Sequence, residues 1–179
     1  MPNNNKNLWA PWRMQYIRSL GAESSGDQGC FLCRYRDNPG EDASNHVVWR
    51  GKLTMVLMNR FPYTNGHLMV APHVHCGDIT AIEPDVVVEM SLQLQAAIAV
   101  LKKVVRAHGF NVGYNLGVCA GAGLPDHAHA HIVPRWSGDT NFMAVLGDAR
   151  VIPDALDTLY GELRATARQE PLLEGIAEL

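Results

Sequence analysis

The sequence predicts an α+β fold, an antiparallel sheet of about five strands with one long helix packed on it and a second helix near the C-terminus. Three observations carry this. Short apolar segments bounded by Gly, Pro and Asn fill residues 46–71. A long stretch with apolar residues at steps of three and four follows at 84–108. Two more strand-like segments come after it, at 110–116 and 127–133. Strands, a long helix and strands again is the order of an antiparallel α+β domain.

The elements follow in chain order. Residues 1–29 read as an arm: polar at first, then Leu8-Trp9-Ala10-Pro11-Trp12-Arg13, then small and polar to Gly29, with the two tryptophans expected to pin it to the domain. His46 to Trp49 and Leu53 to Met58 read as strands around the turn at Arg50-Gly51. Gly66 to Ala71 is the next strand, stopped by Pro72 after a turn-rich loop from Asn59 to Asn65. In the helix, Val87, Met90, Leu94, Ala97, Leu101 and Val104 share one face; Pro84 suits its first position and Gly109 its stop. Phe110 to Leu116 is a strand. The small-residue loop Gly117 to Gly123 leads into another, His127 to Val133, ended by Pro134. Pro153 to Ala167 has helical spacing through Leu156, Leu159, Tyr160 and Leu163.

The chain has 179 residues, 47% of them apolar and 18% charged, an ordinary balance for a globular domain with a core of its own. A net charge of −3 gives no reason to expect a polyanion, so no nucleic-acid partner is expected and any phosphate site must be built locally. No unbroken apolar run reaches the ~18 residues of a membrane span, and no apolar secretory core follows the polar start, so no membrane partner and a cytoplasmic location are expected. In that setting Cys30-Phe31-Leu32-Cys33 suggests metal or redox chemistry before a disulfide.

The sharpest feature is His127-Ala128-His129-Ala130-His131, three of the eight histidines within five residues. In a strand they line one face about 6–7 Å apart, with Ala128, Ala130 and Ile132 behind. Such a face suits either a three-histidine zinc or attack on phosphorus by an imidazole that titrates near neutrality. The preceding Gly117, Gly121 and Gly123 permit close backbone approach and N–H donation to phosphate oxygens, which favours phosphorus.

The segment Asn115 to Arg135 resembles the signature of the histidine triad superfamily. Met58-Asn59-Arg60-Phe61-Pro62 and Gly66-His67-Leu68-Met69-Val70-Ala71-Pro72 are similar to its nucleoside-binding loop and strand. Leu8 to Ile17 and Pro134 to Phe142 resemble the branch containing bacterial diadenosine tetraphosphate phosphorylases. The resemblance implies a triad domain at 30–135 and a C-terminal extension with a helix at 136–179. It implies a nucleotide hydrolase or nucleotidyltransferase that cleaves dinucleoside polyphosphates or related conjugates. His129 becomes the nucleophile and carries the nucleotide; His131 contacts the phosphate; Asn59 binds the ribose; Asn115, Gly121 and Gly123 lie at the phosphates. Ala122 and Gly123 stand where many members carry Gln and Ser or Thr, which leaves phosphate binding to main-chain N–H groups. The alternatives are a nucleotide-binding regulatory module with little turnover, and a phosphoramidase or adenylylsulfate-cleaving enzyme with the same histidine chemistry. Zinc-containing members resemble a further arrangement here, in which Cys30, Cys33, His75 and His127 hold a structural zinc; His73 competes with His75 for one place. Cys76 and Cys119 read as small buried residues, and His67 as a histidine that stabilises the fold. Family members are usually homodimers, and the same is expected here.

Overall fold

The computed structural model describes residues 29–139 and 156–178. The arm before Gly29, the stretch Thr140 to Phe142 and the predicted helix start at Pro153 lie outside the described residues. In chain order the elements are α1 (Phe31–Asp37), α2 (Asp42–Asn45), β1 (Val47–Arg50), β2 (Thr54–Met58), β3 (Leu68–Pro72), α3 (Pro84–Val104), β4 (Gly109–Tyr114), β5 (Ala130–Arg135) and α4 (Leu156–Ala167). The strands form one antiparallel sheet in the order β1-β2-β3-β5-β4. The α+β class, the five strands, the long helix and the C-terminal helix are as the sequence predicts.

Alternation sorts the sheet residues onto two faces. Val56, Met58, Leu68, Val70, Ala130 and Ile132 belong to the main core, with Met90, Ala96, Ala97, Val100 and Leu101 of α3 and Leu159, Leu163 and Ala167 of α4. Met55, Leu57, Met69 and Ala71 belong to a second cluster, completed by Cys30, Leu32, Cys33 and Tyr35 around α1. The histidine run approaches this second face. Among the described residues, α3 alone has the length and apolar content to cross a membrane. Here its apolar stripe is the centre of the main core.

Strand ends shift by a few residues from expectation, and three differences have an evident local setting. Helix α3 ends at Val104 without a glycine: Arg106 takes the left-handed conformation, φ 48°, and Gly109 instead opens β4. Strand β5 continues through Pro134. That proline breaks no ladder bond, because its carbonyl points to the side where β3 has already ended and accepts the Thr64 hydroxyl at 2.9 Å. At its other end β5 begins only at Ala130, so His127 to His129 form an approach outside the ladder. The Ala128 N–H donates instead to the Cys76 carbonyl at 2.7 Å. Gly77 allows this approach, since a Cβ there would collide with the Pro125 carbonyl.

The C-terminal segment closes the β1 edge. Arg50 and Glu178 exchange main-chain hydrogen bonds of 3.1 and 2.6 Å. Fully buried Gln93 of α3 ties this segment to the sheet: its oxygen accepts from Trp49 Nε1 at 2.7 Å and its nitrogen donates to the Ile176 carbonyl at 2.9 Å. Replacing Gln93 by Leu strands both partners in an apolar core. The expected loss is about 1–3 kcal/mol, read as a lower urea midpoint at unchanged slope.

Candidate active site and metal centre

Four donors converge at the start of α1. Cys30 and Cys33 lie three residues apart at its N-terminus, and both are buried. His75 follows β3, and His127 ends the loop before β5. Their ligand atoms all lie within 4.8 Å of one another. The Cys30 and Cys33 sulfurs stand 3.3 and 3.5 Å from His127 Nδ1, and the Cys33 sulfur 3.2 Å from His75 Nδ1. The His127 Nε2–H donates to the Pro72 carbonyl at 2.8 Å, so the Nδ1 lone pair faces the thiols. Burial pushes His127 down to about 4, with the Pro72 hydrogen bond opposing and the neighbouring His75, His129 and Arg36 adding to the fall. A neutral imidazole, a second imidazole and two buried thiols form a Cys2His2 donor set, the composition of closed tetrahedral zinc sites. His75, not His73, occupies the fourth place. The His73 main chain instead donates to the Leu53 carbonyl and accepts from Arg36, and its buried Nε2 has no partner among the described residues.

His129 comes two residues later, 7% exposed. Its Nδ1–H donates to the His127 carbonyl at 2.9 Å, which leaves the Nε2 lone pair to act as a nucleophile. Burial holds the ring below the usual histidine range, against the opposing pull of that hydrogen bond, so it is neutral near pH 7. The His131 ring centroid is 4.8 Å away.

His131 is itself held by His67, a residue whose part in the site the sequence reading passed over. His67 immediately precedes β3, two residues before Met69, and Met69 pairs with His131 across to β5. The His67 Nδ1 accepts from the Tyr63 main-chain N–H at 3.1 Å and from Asn59 Nδ2 at 3.3 Å. Nδ1 is therefore unprotonated and the hydrogen sits on Nε2, 3.0 Å from His131 Nδ1. That donation makes His131 Nδ1 the acceptor and leaves its own hydrogen on Nε2. A chain of one polarity runs from Tyr63 through His67 to His131. The available signal was the lone buried histidine at the head of β3, but only the β3–β5 register shows what it meets.

The remaining candidates lie around this chain. Asn115 Nδ2 stands 3.5 Å from His131 Nε2, and with the carboxamide turned end for end its oxygen accepts the hydrogen that the His67 donation leaves on Nε2. Asn59 also caps its own turn, accepting the Phe61 N–H at 2.9 Å. In the glycine loop, Gly117 and Gly121 take positive φ of 81° and 84°. The Gly121 N–H turns inward to the Val118 carbonyl, and that of Ala122 to the Gly117 carbonyl. The N–H groups of Gly123 and Leu124 have no such partner among the described residues. Cys76 is half-buried beside Ile82, Val86 and Ala128. Cys119, expected to be buried, is exposed, because it sits in the short turn Val118–Ala120 at the tip of this loop.

Residues 41–138 match the HIT domain family. The chain is 39% identical over 151 residues, 83% of its length and 77% of the relative's, to a Mycobacterium tuberculosis protein named AP-4-A phosphorylase. It is 30% identical over 95 residues, 53% of its length and 52% of the relative's, to the asymmetrical bis(5'-nucleosyl)-tetraphosphatase of Schizosaccharomyces pombe. Among solved structures it is similar to a Zn-bound histidine triad family protein from Mycobacterium smegmatis. That likeness has a TM-score of 0.66 and 27% identity, and covers 80% of this chain and 96% of that one.

The buried histidine chain has a pH signature. Burial first, then the neighbouring His131 and His129, push His67 from 6.5 to about 3. Between those values the unfolded chain binds a proton that the folded chain does not, so stability falls as pH drops through this window. The slope per group is at most about 1.4 kcal/mol per pH unit. A His67→Asn variant should lose stability less steeply than wild type between about pH 6 and 4. Equal slopes in urea unfolding would remove His67 as the source.

Proposed function

The chain belongs to the histidine triad family, and on that premise we propose that it cleaves dinucleoside polyphosphates, or related nucleotide conjugates, through a covalent nucleotidyl-histidine on His129. The observation that carries the reading is the hydrogen bond from His129 Nδ1 to the His127 carbonyl, which directs the Nε2 lone pair outward in a neutral ring. The names of the two nucleotide-cleaving relatives support the substrate class.

In this mechanism His129 Nε2 attacks the α-phosphorus and forms a P–N bond as the P–O bond to the rest of the polyphosphate breaks. The electron pair leaves with the polyphosphate oxygen. The His131 Nε2–H donates to a phosphate oxygen during the transfer, and charge developing there is stabilised by a donor already in place. Water or inorganic phosphate then attacks the same phosphorus, breaks the P–N bond and returns the electron pair to His129. The Gly123 and Leu124 N–H groups face the acceptor question directly. With no hydroxyl side chain at Gly123, they are the donors available to hold a phosphate acceptor. Asn59 binds the ribose hydroxyls, and Asn115 and the Gly121 turn border the phosphates.

Cys30, Cys33, His75 and His127 would hold a zinc ion. Four protein donors leave no open position, so the ion would be structural and would fasten α1 to the approach to β5. A cytoplasmic setting belongs to the same proposal, because a CxxC pair kept as metal-binding thiols rather than as a disulfide fits a reducing compartment. So does a homodimer. Val88 and Leu92 are exposed apolar residues on the outer side of α3, and Val112 is another on β4, the sheet edge that the C-terminal segment leaves open.

Incubation with diadenosine tetraphosphate and an alkaline quench should trap a phosphoramidate-linked nucleotide on the protein. His129→Ala should abolish the adduct and lower turnover by roughly a thousandfold or more. Turnover surviving in that variant would refute the mechanism. Running the same assay with and without inorganic phosphate separates the acceptors by product: a nucleoside diphosphate marks phosphorolysis, a monophosphate hydrolysis. For the metal, the protein should carry about one zinc per chain, and Cys30→Ser should carry clearly less by elemental analysis. Equal zinc in both proteins would defeat the ligand assignment.

A further inference from the structure

Tyr63 belongs to the turn-rich loop between β2 and β3, four residues before His67, and is half-buried. It meets the histidine chain in two ways. Its main-chain N–H donates to His67 Nδ1 at 3.1 Å. Its ring lies 4.6 Å from the His67 ring, tilted by 39°, and 6.0 Å from the His131 ring, tilted by 32°. One residue therefore holds an edge of His67 through the backbone and covers a face of it through the side chain.

The two contacts do different work. A neutral imidazole has two tautomers, and its neighbours select one. A main-chain N–H can only donate, so it makes His67 Nδ1 an acceptor and sends the hydrogen to Nε2. That selection lasts only while the ring keeps its orientation. Half a turn about χ2 exchanges Nδ1 with a carbon and reverses or breaks the chain to His131. An aromatic ring packed on the face of His67 obstructs that turn. His131 then keeps a hydrogen on Nε2; without the constraint it can present a lone pair there, which repels a phosphate oxygen.

We propose that Tyr63 is a positioning residue for the transfer step: its ring and its main-chain N–H together lock the His67–His131 pair in the one polarity that points an N–H from His131 at the phosphate. The proposal rests on the reading of His129 as nucleophile and His131 as phosphate donor. It predicts that the phenol hydroxyl is dispensable and the ring is not.

The test has an arm without substrate and an arm with it. In the first, nitrogen-15 NMR of the zinc-loaded full-length protein reports the tautomer of each histidine. Wild type and Tyr63→Phe should both show His131 protonated on Nε2. Tyr63→Ala, which keeps the N–H but loses the ring, should show a mixture with Nδ1–H. Tyr63→Leu restores part of the bulk and should lie between them; it serves if the alanine variant does not fold. In the second arm, Tyr63→Ala should lower kcat on diadenosine tetraphosphate by roughly tenfold with KM changed less than about twofold, while Tyr63→Phe stays within about twofold of wild type. Zinc content and melting temperature near wild type identify a folded variant. Wild-type His131 protonated on Nδ1 would overturn the proposal, as would a folded alanine or leucine variant with the single wild-type tautomer and unchanged kcat. If wild type turns over no nucleotide, the proposed function fails instead, and the NMR arm still decides the role of Tyr63.

Discussion

His127 joins two sites that would otherwise be separate. Its ring enters the thiol cluster through Nδ1, and its own carbonyl accepts the Nδ1–H of His129. The placement of one of the four clustered donors therefore sets the tautomer of His129, the proposed nucleophile, through a single residue. The Pro72 carbonyl fixes the other edge of the His127 ring and carries the constraint back to the end of β3. Moving α1, the end of β3 or the approach to β5 changes where the His129 lone pair points.

The sheet divides this labour between its faces. The side covered by α3 and α4 holds an ordinary apolar core. The side under α1 carries the donors and the histidines, where buried polar groups need partners. Those partners come largely from main chain: the Pro72 carbonyl for His127, the His127 carbonyl for His129 and the Tyr63 N–H for His67. Main-chain groups have no rotamers to lose, so each fixes a tautomer at little entropic cost. Glycine at 77 is part of the same economy, because it lets the loop after β3 reach the main chain before His127.

What the sequence reveals here is set by the range of the interaction. Period-2 and period-3.6 patterns are local, and they delivered the five strands and the long helix. The CxxC spacing and the triad are local too, so the donors are readable as residue types. His75 and His73 are two residues apart in the bend after β3, and only tertiary placement separates them. His67 is a harder case. Its partner His131 is 64 positions away, and the contact exists because β3 pairs with β5 rather than with the strand that follows it in the chain. The left-handed Arg106 beyond α3 and the strand continuing through Pro134 both defeat a residue preference, the second because the Pro134 carbonyl meets Thr64 where β3 has ended. The inward-turned amides of Gly121 and Ala122 are likewise invisible to composition, since glycine permits a loop shape without choosing which N–H groups it leaves outward.

The four donors also impose an order on synthesis. Cys30 and His127 are 97 positions apart. A chain emerging from the ribosome has both thiols and His75 in hand long before the fourth donor exists. Three donors leave a metal with an open position, a reactive state rather than a structural one. His127 closes the set and arrives only two residues ahead of His129. The chain acquires its proposed nucleophile at almost the same moment as the clasp that aims it, so no nascent chain carries His129 without the residue whose carbonyl orients it.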